Sequence, residues 1–244
     1  MRDEPRTAIV TGASKRVGAE IARALLAEGW QVVAHVRSED DPVPEGAVRA
    51  TAELSDYECA ETIFRAAAEL PAVRLLVNNA SRFVFDSAEG FNPQEFDDHM
   101  AVNLRAPLLL ASAFARRHRD GDGLIVNILD SKVAAPNPDF LSYTLSKQGL
   151  AAATGLLAQA LAAQGMRVNA IAPALMLQSP GQTAENFRKM HAANPLSRGV
   201  EPADVVSALR YLLDAATVTG QILTVDGGHH FLRQDRDVQF LEGE

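Results

Sequence analysis

The sequence predicts a single α/β domain built on a doubly wound parallel sheet with helices on both faces. Two observations carry this expectation. Short β-branched runs alternate with longer Ala/Leu-rich helical patterns from end to end, and several of those runs are apolar at consecutive positions, as strands are when both faces of a sheet are covered. Strands fall at Thr7-Ala8-Ile9-Val10, Gln31-Val32-Val33-Ala34, Leu75-Leu76-Val77, Leu124-Ile125-Val126-Asn127-Ile128, Arg167-Val168-Asn169-Ala170-Ile171 and Gln221-Ile222-Leu223-Thr224-Val225, with a weaker one near Ala47-Val48-Arg49. Helical patterns such as Ala19 to Glu28 and Gln148 to Gln164 fill the gaps. No Pro/Gly/Ser-rich linker interrupts the alternation. Residues 1–232 therefore read as one domain, and 233–244 as a polar tail, either loose or an arm packed on a neighbouring subunit.

Composition narrows the partners. The chain has 244 residues, 47% hydrophobic and 22% charged, enough for a sizeable core. Its formal net charge of −8, with no long basic run, repels phosphate backbones, so nucleic acid is not expected. The single cysteine, Cys59, excludes an internal disulfide framework and reads as a small core side chain. No apolar run approaches membrane-spanning length, and the charged start Met1-Arg2-Asp3-Glu4-Pro5-Arg6 lacks a signal-peptide core, so a cytoplasmic protein is expected.

The first strand runs into Thr11-Gly12-Ala13-Ser14-Lys15-Arg16-Val17-Gly18 and then a helix. Glycines there permit a tight turn and close backbone approach, and the helix N-terminus offers unpaired N–H groups to an anion. A dinucleotide site selective for NAD usually places a carboxylate at the end of the second strand to hold the ribose hydroxyls. Here that strand ends His35-Val36-Arg37-Ser38, with no acid until Glu39. Arg37 and Ser38, with Lys15 or Arg16, suit a 2′-phosphate instead, so NADPH is the expected cofactor.

Farther along, Tyr143-Thr144-Leu145-Ser146-Lys147 opens a helix and puts Tyr143 and Lys147 on one face. A tyrosine that protonates a substrate needs its pKa of about 10 brought toward neutrality, and a nearby ammonium favours the phenolate that does this. Taken alone, the pair is an ordinary surface pattern. Joined to the glycine turn, it is a catalytic candidate.

The ordered set Thr11 to Gly18, Asn78-Asn79-Ala80, Val102-Asn103-Leu104, Tyr143 to Lys147, Val168-Asn169-Ala170-Ile171-Ala172-Pro173 and Val225-Asp226-Gly227-Gly228 resembles the short-chain dehydrogenase/reductase family over nearly the whole chain. The resemblance implies a Rossmann-like fold and hydride transfer from nicotinamide C4. It implies Tyr143 as proton donor, Lys147 on the nicotinamide ribose, and Asn103 holding a water in the proton relay. Gly12, Ser14, Lys15, Arg16, Val17, Gly18, Asn79, Ala80 and Pro173 would line the cofactor, with Glu53-Leu54 beside the adenine. It also implies a homotetramer assembled through helix pairs.

Two departures narrow the resemblance. Arg16 stands at the family's usual middle glycine, and thirteen residues before Tyr143, where the family has a catalytic Ser, this chain has Asp130. The offset favours Asp130, and a one-residue shift in the loop would put its neighbour Ser131 there instead. Both departures, together with Asn78-Asn79-Ala80-Ser81-Arg82-Phe83, resemble the pteridine reductase branch, including the dihydromonapterin and dihydrofolate reductases of this fold. That branch implies Phe83 stacked on one face of a flat pterin, with Arg16 and Ser81 on cofactor phosphate and pterin polar groups, and Asp130 sharing the proton relay. A planar π-surface suits offset stacking on an aromatic.

The segment at about 174–198, from Leu175 on irregular and broken at Pro180 and Pro195, is the natural substrate lid, with Leu175 against the substrate. His229-His230 lack Cys or spaced carboxylate partners, so no metal is expected and a tail or interface role is. The leading expectation is NADPH-dependent reduction of a pteridine C=N bond. The alternatives are a general ketone or 3-oxoacyl reductase, and a non-catalytic NADPH-binding regulator, against which intact Tyr143, Lys147 and Asn103 stand.

Overall fold

The computed structural model describes residues 4–178, 181–232 and 234–241. The sequence readings at residues 1–3, Pro180, 233 and 242–244 lie outside them. Strands β1 (Thr7–Val10), β2 (Gln31–Val36), β3 (Val48–Thr51), β4 (Val73–Asn78), β5 (Gly123–Ile128), β6 (Met166–Pro173) and β7 (Ile222–Val225) form one sheet in the order β3-β2-β1-β4-β5-β6-β7. Every neighbouring pair is parallel. The doubly wound sheet expected from the sequence is present, and the weak strand near Val48 is real.

Alternation along each strand explains why both faces need helices. Ala8, Val10, Leu75, Val77, Leu124 and Val126 point to one face, where α1 (Arg16–Ala27) and α7 (Pro202–Asp214) bring Val17, Ile21, Leu25, Val205 and Leu209. Ile9, Leu76 and Ile125 point to the other, against α2 (Cys59–Arg65), α4 (Ala106–Arg117) and α5 (Leu141–Leu161), which supply Phe64, Leu110, Phe114 and Leu161. Cys59 is a buried member of that second layer. Behind the strands, a polar ladder crosses the second layer. Asn78 Nδ2 donates to Asn127 Oδ1 (2.8 Å), and Asn127 Nδ2 donates to Thr154 Oγ1 (3.0 Å). Thr154 in turn donates to the Leu150 carbonyl (2.9 Å), while Asn78 Oδ1 is left without a partner.

Two short helices complete the chain: α3 (Pro93–Met100), and α6 (Ala184–His191), capped by Thr183. The latter corrects the expectation of an irregular segment before Arg198. His229 and His230 sit in a turn after β7, where Asp226 Oδ2 meets the His230 backbone N–H (2.8 Å) and Nδ1 (2.7 Å). Residues 234–241 are neither loose nor free of the chain's own body. Arg236 Nε donates to Asp139 Oδ2 (2.8 Å), and Phe240 lies against Phe85 and Phe140.

Strand order reverses between β1 and β4, and the crevice at their carboxyl ends is where this topology leaves room for a ligand. The glycine turn lies there. Thr11 Oγ1 accepts the backbone N–H of Asn79 (2.9 Å) and Ala80 (3.0 Å), and Asn79 Nδ2 donates to the carbonyls of Thr11 (2.8 Å) and Gly12 (3.2 Å). Gly12 has φ +65°, and a Cβ there would come within 2.9 Å of Ala80 Cα. A Cβ on Gly18 would run into the Gly12 carbonyl oxygen and the Asn79 amide. Gly18→Ala should therefore lower unfolding stability by about 1–3 kcal/mol, as overpacking does. A urea-unfolding midpoint equal to the parent's would show that the turn has room to spare.

Candidate active site

The crevice opens into a cleft of about 780 Å³. Its lining contains Gly12, Ser14, Lys15, Arg16, Val17 and Gly18 from the glycine turn, Arg37 from beyond β2, Glu53 and Leu54 from beyond β3, and Asn79, Ala80, Ser81 and Phe83 from beyond β4. Asp130, Tyr143, Lys147, Pro173 and Leu175 close the other end. Residues scattered through the sequence thus meet in one cavity.

At the glycine end, α1 begins without a side-chain cap and without an acid in its first turn, so its leading N–H groups and the Lys15 and Arg16 charges form a cradle for an anion. Arg16 takes φ +55°, the left-handed region that a glycine occupies without strain. Buried His35 supports the turn from behind. Its Nδ1 accepts the Gly12 N–H (3.2 Å), which leaves Nε2 to donate to the Ala52 carbonyl (3.0 Å). Burial lowers its pKa, consistent with this neutral form.

Ser38 is not among the residues lining the cleft, and it is held by its neighbours while its O–H stays free to donate. Its N–H goes to Asp41 Oδ2 (3.0 Å), and its hydroxyl accepts from the Asp40 N–H (3.3 Å). The sequence reading also missed Asp41, which does line the cleft, four residues beyond Arg37.

The catalytic end is built on the start of α5. Phe140, at the N-cap position, has φ +54° and contributes no side-chain cap. The cap comes from Asp86 instead. Its Oδ1 accepts the Ser142 N–H (2.9 Å), its Oδ2 accepts the Ser142 hydroxyl, and its backbone carbonyl accepts the Leu141 N–H (3.3 Å). A carboxylate at a helix N-terminus also opposes the helix dipole favourably. Nothing in the local sequence distinguishes Asp86 from other acids. Its signal is its place at the end of the segment that begins at Asn78.

One turn into α5, the Tyr143 hydroxyl donates to Asp130 Oδ2 at 2.8 Å. The other carboxylate oxygen accepts the Lys132 N–H (2.9 Å), so Asp130 caps a short 3-10 turn over Ser131–Val133 and is fixed in place. Of the neighbours Asp130 and Ser131, the side chain that meets Tyr143 is Asp130.

Lys147 corrects the expectation that it lowers the Tyr143 pKa. Its Nζ donates to the Ile128 carbonyl (2.8 Å) and lies 5.7 Å from the centre of the tyrosine ring. The phenol is instead pushed well above its ordinary value, first by burial and then by the Asp130 charge and hydrogen bond, with a smaller push from Asp237. A proton on Tyr143 can be shared with a carboxylate only while the tyrosine stays neutral. Burial lowers Lys147 to about 8, against which the Asp130 charge acts.

Asn103 lies outside the cleft lining, in a π-turn (Ala101–Arg105) between α3 and α4. Its amide is fully engaged. Nδ2 donates to the Arg82 carbonyl (3.0 Å) and Ser146 Oγ (2.9 Å), while Oδ1 accepts from the Arg82 N–H (2.7 Å) and Ser81 Oγ (3.2 Å). A water at Asn103 could meet only its backbone, because the side chain holds the 81–82 backbone in place. Phe83, next along, already stacks on Phe140 (4.2 Å, 16°) and meets Tyr143 edge to face (4.7 Å, 84°). Phe83 also lines the cleft.

A cleft at a topological switch point, an anion cradle at one end and a tyrosine–carboxylate pair beside a buried lysine at the other define a dinucleotide-dependent oxidoreductase. Comparison with known proteins agrees. The family model described as enoyl-(acyl carrier protein) reductase matches residues 12–230. L-xylulose reductase of Caenorhabditis elegans is 32% identical over 237 residues, 90% of this chain and 94% of the relative. Carbonyl reductase (NADPH) 2 of Sus scrofa is 30% identical over 235 residues, 91% of this chain and 95% of the relative. The crystal structure of FolM alternative dihydrofolate reductase 1 from Brucella canis, complexed with NADP, superposes with a TM-score of 0.87 at 35% identity, covering 95% of this chain and 96% of that one. The chain belongs to the short-chain dehydrogenase/reductase family and is an oxidoreductase of that family. Among the described residues, no helix is long and apolar enough to cross a membrane, and no group of three His, Cys, Asp or Glu could hold a metal ion.

Lys147 carries its proton below about pH 8 and loses it above. Initial rates at subsaturating nicotinamide cofactor should be level at lower pH and fall roughly tenfold per unit above about 8, the slope of one essential proton. A rate steady to pH 10 would separate the Lys147 charge from turnover.

Proposed function

We propose that this protein is an NADPH-dependent reductase of a pteridine C=N bond, of the dihydropterin or dihydrofolate type. The observation that carries the reading is the Asp130 carboxylate held 2.8 Å from the Tyr143 hydroxyl, with the Phe83 ring 4.7 Å from that same tyrosine. The Brucella canis protein, a FolM alternative dihydrofolate reductase by name, was solved with NADP and supports both substrate class and cofactor. The residues fit such a cofactor: an uncapped α1 start with Lys15 and Arg16 for the pyrophosphate, and Arg37 for a 2′-phosphate. Bound there, NADPH supplies the hydride.

The chain's own residues handle orientation and the proton. Phe83 supplies an aromatic surface to a flat ring, and Leu175 with its neighbours Ala174, Met176 and Leu177 lines the same cleft. Tyr143 gives its proton to the ring nitrogen that hydride arrival makes basic. Asp130 holds that hydroxyl in place until its O–H turns from the carboxylate to the substrate, and the buried Lys147 ammonium offsets the negative charge left on the tyrosine–carboxylate pair. Ser81 and Arg16, which both line the cleft, would contact cofactor phosphate and pterin polar groups. Residues 174–198 serve as the lid. Exposed leucines on α4 (Leu108) and α5 (Leu145, Leu156) support assembly of a cytoplasmic homotetramer through helix pairs.

A second reading, a general carbonyl reductase, is favoured by the named activities of the Sus scrofa and Caenorhabditis elegans relatives. NADPH oxidation against dihydrobiopterin, dihydromonapterin, dihydrofolate, biopterin and a set of ketones decides between the two. Activity confined to ketones removes the pteridine reading. Within the pteridine reading, Tyr143→Phe should suppress turnover with NADPH binding nearly intact, and Asp130→Ser should cut pterin reduction. Pterin reduction by Asp130→Ser at the parent rate would deny the carboxylate a special role. For the cofactor, Arg37→Asp should weaken NADPH relative to NADH by on the order of tenfold or more, the loss of one charge-assisted contact. Equal weakening of both would show that Arg37 does not read the phosphate.

A further inference from the structure

The segment after β7 returns to the catalytic end of the cleft, and its contacts there are more than surface packing. Asp237 is buried and accepts from Lys132 Nζ at 2.8 Å, inside the chain's own body. The same ammonium donates to the Asp139 carbonyl (2.9 Å), and the Asp139 carboxylate accepts the Asp237 N–H (2.8 Å). Lys132 is also the residue whose N–H fixes Asp130 (2.9 Å). One buried ion pair therefore joins the C-terminal segment to the loop that carries the catalytic carboxylate. A buried charge pair of this kind is held firmly, because freeing either partner leaves a charge without solvent.

Phe240 makes the second connection. Its ring lies nearly parallel to Phe140 (6.0 Å, 18°), and Phe140 lies nearly parallel to Phe83 (4.2 Å, 16°). Phe85 closes the cluster edge-on to both Phe140 and Phe240 (5.2 and 5.3 Å). Phe140 holds a left-handed backbone conformation that a residue of its size adopts only when its surroundings impose it. Phe240 thus packs on Phe140 as Phe83 does, so Phe140 links the two rings. Asp237 also lines a small cavity of about 90 Å³ shared with Phe83 and Asp130, so the segment reaches the wall of the substrate end itself.

We propose that Asp237 and Phe240 are positioning residues of the substrate site, acting within one chain: the ion pair sets the Asp130 loop, and the aromatic stack sets the ring of Phe83. Their effect is on substrate, not on the cofactor, whose phosphate end lies across the cleft. The proposal borrows the stacking role of Phe83 from the pteridine reading, but it is tested on whichever substrate the enzyme accepts.

The test is a double-mutant cycle in the full-length protein between Phe240→Ala and Phe83→Ala, read as KM and kcat for dihydrobiopterin and for cyclohexanone, with the NADPH dissociation constant measured in parallel. Phe240→Ala should raise the substrate KM by about 2–10-fold, the range for loss of one aromatic pair, with kcat and NADPH affinity within about twofold of the parent. In the Phe83→Ala background the same substitution should add almost nothing, because the ring it positions is gone. Phe240→Tyr, which keeps the ring, should restore the parental KM. If Phe240→Ala does not fold, Phe240→Leu keeps apolar bulk without the flat ring and takes its place. Asp237→Asn should lower kcat more than Phe240→Ala does, since it loosens the Asp130 side.

An equal KM effect of Phe240→Ala in both backgrounds overturns the proposal, as does a loss shared in proportion by KM, kcat and NADPH affinity. Activity on ketones but on none of the four pteridines named above overturns the pteridine reading and leaves the cycle to be read on a ketone. A parent that turns over no pteridine and no ketone overturns both.

Discussion

The catalytic end depends on how the first turn of α5 is closed. That helix carries Tyr143 and Lys147, yet the residue at its N-cap position, Phe140, contributes no side-chain cap. Asp86 supplies it through the backbone and hydroxyl of Ser142. Because Asp86 lies three residues beyond Phe83, the contact that starts the helix also fixes the strand-end segment bearing the aromatic wall of the cleft. Tyrosine, lysine and Phe83 thus share one mechanical reference. The backbone of that segment is fastened a second time by the Asn103 amide, which itself reaches back to Ser146 in α5.

The tyrosine and the lysine are linked through the Asp130 carboxylate. Burial alone raises the phenol and lowers the lysine, and the Asp130 carboxylate raises both. Keeping the tyrosine neutral and the lysine near the edge of its charged range makes a resting state in which the proton is present and its departure has a compensating cation close by. A serine in place of Asp130 would accept the same hydrogen bond without the charge, so the two family patterns at this position set different balances around an otherwise similar tyrosine.

Much of this was legible in the sequence, for identifiable reasons. Strands such as Thr7–Val10 and Gly123–Ile128 are short, apolar and bounded, and their alternation with helical periods has few alternative foldings. The glycine turn and the Tyr143/Lys147 spacing are local patterns whose geometry follows from a strand end and a helix. What was not legible is long-range. Asp237 meets Lys132 across 105 positions and Asp86 meets Ser142 across 56, and no periodicity records either contact. The direction of the Tyr143 pKa was misread for a related reason. Spacing places Lys147 on the same helix face, but the Ile128 carbonyl that captures its ammonium comes from β5.

The polar ladder from Asn78 through Asn127 to Thr154 has a consequence for how this chain can change over generations. Each member is buried and each hydrogen bond is shared, so replacing one residue with an apolar side chain strands the polar group of its neighbour. Replacing all of them with well-fitted apolar side chains removes the stranding altogether. The route between those two cores passes through intermediates worse than either end. Lineages that carry the ladder are therefore expected to keep it whole, and drift in the surrounding core proceeds around these positions rather than through them.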